Sequence, residues 1–144
     1  MSKLLPLLLA LLLAGTARAD DASAWMQRYR AALQQEDVSA LGHLIAADAH
    51  IRLTMEVPQQ PSMTFTLTRA EFLQQQGALW RFSHQSSVAI DQVQMQGQTL
   101  SFQQQSRYDL FHQDYRLHSD ISATLAQHDG QVQLTSLTLL TRER

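Results

Sequence analysis

The 144-residue chain contains no cysteine. That excludes thiol catalysis, cysteine metal sites and disulfide staples, so packing alone must hold any domain it forms. Basic charge is in slight deficit: eleven Lys and Arg stand against thirteen Asp and Glu, a formal net charge of -2. A mildly acidic chain has no electrostatic reason to hold nucleic acid or an anionic membrane surface. Low-complexity linkers, internal repeats beyond hairpins and a second domain are all missing from the pattern. The longest apolar run, Leu4 to Ala14, is shorter than the about 20 residues a membrane-spanning helix needs.

That run reads instead as the core of a signal peptide. Lys3 gives the positive start and Ala17-Arg18-Ala19 the small-x-small cleavage pattern. Residues 1–19 are therefore expected to be removed on export. No cysteine follows to carry a lipid anchor, so the product is expected to be periplasmic or secreted, with no membrane attachment after cleavage. Loss of Lys3 and Arg18 moves the formal charge from -2 to -4. Residues 20–144 suffice for one domain with a real core.

The organising stretch is Ser86 to Thr141, which reads as four long strands joined by tight turns at Gly97-Gln98, His112-Gln113 and Asp129-Gly130. Pivoting at His112-Gln113 sets Tyr108 against Leu117, Phe102 against Ala123, Ser106 against Ser119 and Asp109 against Arg116. The other turns set Met95 against Leu100, Val93 against Phe102 and Leu125 against Leu134. Val88 and Ile90 fall out of phase with Val93 and Met95, which predicts a β-bulge near Asp91-Gln92. Before the meander, Trp25, Tyr29, Ala32 and Leu33 make one apolar face of a helix over 22–35. Asp37 caps a second helix, expected to run to about Ala47. Ile51 to Val57 and Met63 to Leu67 alternate as strands, and Thr68-Arg69-Ala70-Glu71 is a capping box opening a third helix.

The order α-α-β-β-α-β-β-β-β, with Trp25-x-x-x-Tyr29, Asp37-x-x-x-Leu41-x-x-Leu44, Asp48 and the box running into Phe72-Leu73, resembles the NTF2-like superfamily, the SnoaL-like and ketosteroid-isomerase-like proteins. The resemblance implies an α+β cone, three helices packed on a strongly bent mixed sheet, with a pocket at the open end and frequent dimerisation through the outer sheet face. It spans isomerases, cyclases, dehydratases and non-catalytic binders, so it assigns no activity.

The expected inner face mixes apolar residues with the neutral hydrogen-bonding groups Gln104, Ser106, Tyr108, Ser119, Ser136 and Thr138. Such a patch suits a small ligand with polar and apolar parts, although buried polar groups also commonly satisfy one another. The candidate ligand-binding residues are Trp25, Tyr29, Gln104, Ser106, Tyr108, Ser119 and Thr138. An isomerase or dehydratase needs an acid or histidine within reach of the reacting proton, and the expected inner face of the meander carries neither. The resemblance supplies only Tyr29 and Asp48 as catalytic candidates, and helix termination or strand entry is the commoner explanation of a residue placed like Asp48. His112, Asp114, Arg116, His118 and Asp120 share one parity, but interleaved arginines and the long separation of the histidines suit a solvated salt-bridging face better than a metal. No metal or cofactor is expected. The outer face, with Thr99, Ser101, Gln103, Gln105, Ser122, Thr124, Leu137 and Leu139, is short of charge, which suits a homodimer interface. The sequence thus points to an exported small-molecule or protein-binding module, with an enzyme using Tyr29 and Asp48 as the alternative.

Overall fold

A computed structural model describes residues 19–144. The expected leader lies outside the described residues, apart from Ala19. Three helices, α1 (Ala19–Gln34), α2 (Val38–His43) and α3 (Arg69–Phe82), pack on one mixed sheet. Its strands are β1 (Ile45–Glu56), β2 (Met63–Leu67), β3 (His84–Gln96), β4 (Thr99–Leu110), β5 (Gln113–His128) and β6 (Gln131–Glu143), in the order β2-β1-β6-β5-β4-β3. The β1/β6 pair is parallel and every other pair antiparallel. This is an α+β cone, as the resemblance implied.

Helix α1 lies in the hollow of the sheet. Ala22, Trp25, Met26, Tyr29, Ala32 and Leu33 are buried, the i, i+3, i+4, i+7 set of one face. They pack with Leu41, Ile51, Leu100, Leu125 and Leu134, the largest fully buried side chains. Helix α3 opens with the capping box as read: Glu71 N–H donates to Thr68 Oγ1 and Thr68 N–H to Glu71 Oε1, both at 3.1 Å.

Helix α2 stops at His43, four residues before the expected end near Ala47. A helix terminus leaves carbonyls without partners, and here other elements take them. Arg69 Nη2 donates to Gly42 O at 2.7 Å, Gln133 Nε2 to His43 O, Trp25 Nε1 and Leu134 N–H to Leu44 O, and Arg69 Nε to Ile45 O. A side chain at Gly42 would press on Arg69, since its Cβ would lie 3.0 Å from Nη2. The chain then enters β1, where Ala46 to Ala49 bulge opposite a single β6 residue between the pairs Ile45/Leu134 and His50/Ser136.

Bulges elsewhere set the phase of each face. The bulge expected near Asp91-Gln92 is present: pairing shifts between Asp91 and Gln94, and Gln92 adopts a left-handed φ of 52°. It returns Val88, Ile90 and Met95 to one face, and it replaces the expected Val93/Phe102 pair. The β4/β5 hairpin pivots at Phe111-His112 (φ 52° and 62°), not at His112-Gln113. Ser106 therefore faces Leu117, Tyr108 faces Tyr115, Phe102 faces Ile121 and Asp109 faces Asp114. The error is two residues, so the inner and outer assignments survive it. On the outer side Asp114 accepts from Arg107 at 2.7 Å and from Arg116 at 3.2 Å, in place of an Asp109/Arg116 pair.

In β6 the outcome differs. Leu125 faces Leu134 as expected, but Thr124 faces Ser136, leaving Thr135 as an extra residue. One inserted residue flips everything beyond it. Leu137 is thus buried between Ala123 and Ile51, Leu139 also turns inward, and Thr138 and Leu140 turn outward. The expected inward Thr138 and outward Leu137 and Leu139 are reversed.

Candidate functional site

The corrected registers bring one row of inner-face residues into line across all six strands: Met63, Met55, Thr141, Ser119, Gln104 and Ile90. The three in the middle are neutral hydrogen-bonding groups, flanked by two methionines on one side and an isoleucine on the other. Beneath α3 the row's four middle members, Met55, Thr141, Ser119 and Gln104, floor a cavity of about 310 Å³. Helix α1 supplies Tyr29, and α3 supplies Phe72, Gln75, Gln76 and Leu79. The sheet adds Leu53, Met55, Gln104, Ser106, Tyr108, Leu117, Ser119, Leu139 and Thr141. Among these residues there is no carboxylate, imidazole, guanidinium or ammonium group.

The polar groups are partly paired with one another. Tyr29 Oη donates to Gln104 Oε1 at 2.5 Å, and Gln104 Nε2 donates to Ser106 Oγ at 3.4 Å. The Ser119 and Thr141 hydroxyls share a buried bond of 2.8 Å. Gln76 Nε2 is buried with no hydrogen-bond partner. Burial pushes the Tyr29 phenol far above its ordinary range, with Tyr108 adding to the shift and the Gln104 bond opposing it. Tyr108 is raised too, again chiefly by burial. Both phenols therefore stay protonated across the physiological range, and the cavity is neutral throughout it. Tyr29 is held from behind: it stacks on Trp25 at 5.1 Å between ring centroids and meets Phe102 edge-on at 5.5 Å.

No protein-family model and no curated protein matches the chain. Solved structures do. A ketosteroid isomerase-like protein from Erwinia carotovora atroseptica is 12% identical with a TM-score of 0.58, covering 87% of this chain and 98% of that one. A steroid delta-isomerase from Pseudomonas aeruginosa is 13% identical with a TM-score of 0.54, covering 87% and 81%. An NTF-2 like protein of unknown function from Silicibacter pomeroyi is 16% identical with a TM-score of 0.52, covering 87% and 94%. The chain has the NTF2-like fold. At these identities the likeness concerns the fold and carries no activity with it.

Within the NTF2-like cone, five of the seven ligand-binding candidates, Tyr29, Gln104, Ser106, Tyr108 and Ser119, line the one cavity. Trp25 stands behind Tyr29 and supports it, its Nε1 donating to Leu44 O at 3.1 Å. Thr138 lies across the sheet, in an outer concavity with Gln94, Ser101, Gln103, Asp120 and Ser122. Its inward place is taken by Leu139 and Thr141, because of the extra residue at Thr135. Asp48 does not join Tyr29: it sits exposed in the β1 bulge and borders a separate hollow with Arg69, His128 and Gln133. The histidine-bearing outer face holds ion pairs, with Arg142 bridging Glu56 at 2.8 Å and Asp120 at 3.2 Å. His84 begins β3, and Trp80 and Phe82 belong to α3. The residues missed by sequence reading are Gln76, Leu139 and Thr141. Gln76 stands four residues after Phe72 on the buried side of α3, a spacing that was available in the sequence.

Proposed function

We propose that this chain is an exported NTF2-like domain that holds a small neutral ligand in its cone and performs no chemistry on it. The lining of the cavity carries the proposal: apolar walls, neutral hydrogen-bonding groups and no ionisable side chain apart from two phenols held protonated. Proton transfer at neutral pH needs a base within about 3 Å of the reacting proton, and this lining offers none. The enzyme alternative paired Tyr29 with Asp48, and those two residues border different hollows. The isomerase names attached to proteins of like fold therefore weigh little against the lining itself.

Titration with the fluorescent neutral probe 2-naphthol tests the binding. Saturable one-site binding to the mature chain is expected, with loss of that site in Leu117→Trp, whose indole would fill the cavity. Equal binding by the filled variant would place the probe elsewhere and defeat the proposal. The export half rests on the charged start, apolar run and Ala17-Arg18-Ala19 pattern. The protein recovered from the periplasm or medium should begin at or next to Asp20, and a product retaining its first nineteen residues would contradict it.

A further inference from the structure

The polar groups of the cavity are not distributed evenly, and one of them is left over. Gln104, Ser106, Ser119, Thr141 and Tyr29 bond among themselves, whereas Gln76 Nε2 is buried without a partner. The one acceptor within its reach is the Tyr108 hydroxyl, whose titration it lowers as a hydrogen-bond donor does, but the pair does not reach full hydrogen-bond geometry. A buried amide donor with no acceptor costs about 1–3 kcal/mol, so an acceptor brought by a ligand would recover a real penalty. No cation lines the cavity to offset a carboxylate or phosphate, which would lose its hydration without return.

The apolar side of the cavity leads outward. Leu53 and Met55 of β1 line it, and their cross-strand partners Phe65 and Met63 of β2 share the same sheet face. Those partners are 43% and 49% exposed, large for an inner-face phenylalanine and methionine. Together the four form an apolar track from the cavity to the β2 edge, where flexible methionines can follow ligands of different shape.

We infer that the ligand is an uncharged amphiphile with one acceptor head, such as a ketone, ester or amide carbonyl, and an unbranched apolar chain. The head accepts from Gln76 Nε2 and the chain runs out along Met55, Leu53, Phe65 and Met63. This rests on the binding reading above, and names the ligand class for that same cavity.

Displacement of 2-naphthol by nonan-2-one, shorter methyl ketones, nonanoate and hexylbenzene tests it on the full mature chain. Expected are tighter binding with each added methylene, by up to about fourfold, and nonanoate at least tenfold weaker than the ketone. Gln76→Leu should weaken nonan-2-one by about five- to tenfold and leave hexylbenzene unchanged or tighter. Met63→Gln should flatten the dependence on chain length. Gln76→Met, of similar volume and without any donor, repeats the head-group test should the leucine variant fail to fold. Unchanged ketone affinity in the Gln76 variants, or nonanoate bound as tightly as the ketone, overturns the inference. Binding of 2-naphthol without any binding of the ketones overturns it while sparing the binding reading. Failure of 2-naphthol itself removes both.

Discussion

Leu137 and Leu140 differ by three positions in one strand, and the bulge at Thr135 assigns them opposite fates. Leu137 is 5% exposed, facing Ala123 on one side and Ile51 on the other, both fully buried. Leu140 faces Asp120 and Thr54 and borders the outer concavity. Truncating a buried leucine removes its transfer free energy and leaves a cavity, typically 2–5 kcal/mol in all. Leu137→Ala should therefore cost about 3 kcal/mol, whereas Leu140→Ala should cost less than about 1 kcal/mol. With a urea m-value of about 2 kcal/mol/M, the first variant should unfold at a midpoint about 1.5 M lower and the second within about 0.5 M of the parent. Equilibrium urea denaturation followed by tryptophan fluorescence reads both. A Leu140→Ala cost equal to or above that of Leu137→Ala would mean that β6 has no bulge. Thr141 and Leu139 would then leave the cavity, and the polar row on its floor would no longer exist.

Three further outcomes are expected. Trp25→Phe removes the donor to Leu44 O at the turn between α2 and β1, and should cost about 1–3 kcal/mol in the same denaturation assay; a neutral effect would show that Leu44 O is adequately held by Leu134 N–H alone. The Glu71 carboxylate is held below its ordinary range chiefly by its bond from the Thr68 backbone N–H. A depressed folded-state value contributes stability that is present above the unfolded carboxylate range and lost as pH falls through the folded value, so Glu71→Gln should show a shallower acid loss than the parent. Parallel pH profiles would contradict the capping role. We also propose that the charge-poor outer face around Ser101, Gln103, Ser122, Thr138 and Leu140 associates two copies. Sedimentation should show a dimer that Leu140→Lys dissociates without loss of fold, and a monomeric parent at micromolar concentration would refute it.

The sequence reading succeeded where signals were local or periodic. Thr68-Arg69-Ala70-Glu71 carries its own geometry, and the Trp25, Tyr29, Ala32, Leu33 spacing admits one helical face. Hairpin parity tolerated an error of two residues at Phe111-His112, because only odd slips change faces. It found the β3 bulge but failed at the one in β6, since a bulge leaves the alternation intact on both sides and changes only its phase. The signal at Thr135 was nevertheless present. Leu134 is followed by apolar residues at 137 and 139, out of phase in the same way that marked the β3 bulge at Gln92. The end of α2 was not legible, since it depends on Arg69, Gln133 and Trp25 reaching its carbonyls from distant parts of the chain. Gln76 went unread for a different reason: its spacing from Phe72 was available, but it closes a run of three glutamines that looks like a solvated helix face.

Backbone amide shifts of the isotopically labelled mature chain, recorded during titration with 2-naphthol, test the cone as the binding site most directly. Changes confined to the residues around Gln76, Gln104, Ser106, Ser119 and Thr141 are predicted, with the same pattern at about pH 5 and about pH 8 because no lining group titrates between them. Shifts centred instead on Ser101, Gln103, Ser122 and Thr138, across the sheet, would contradict it.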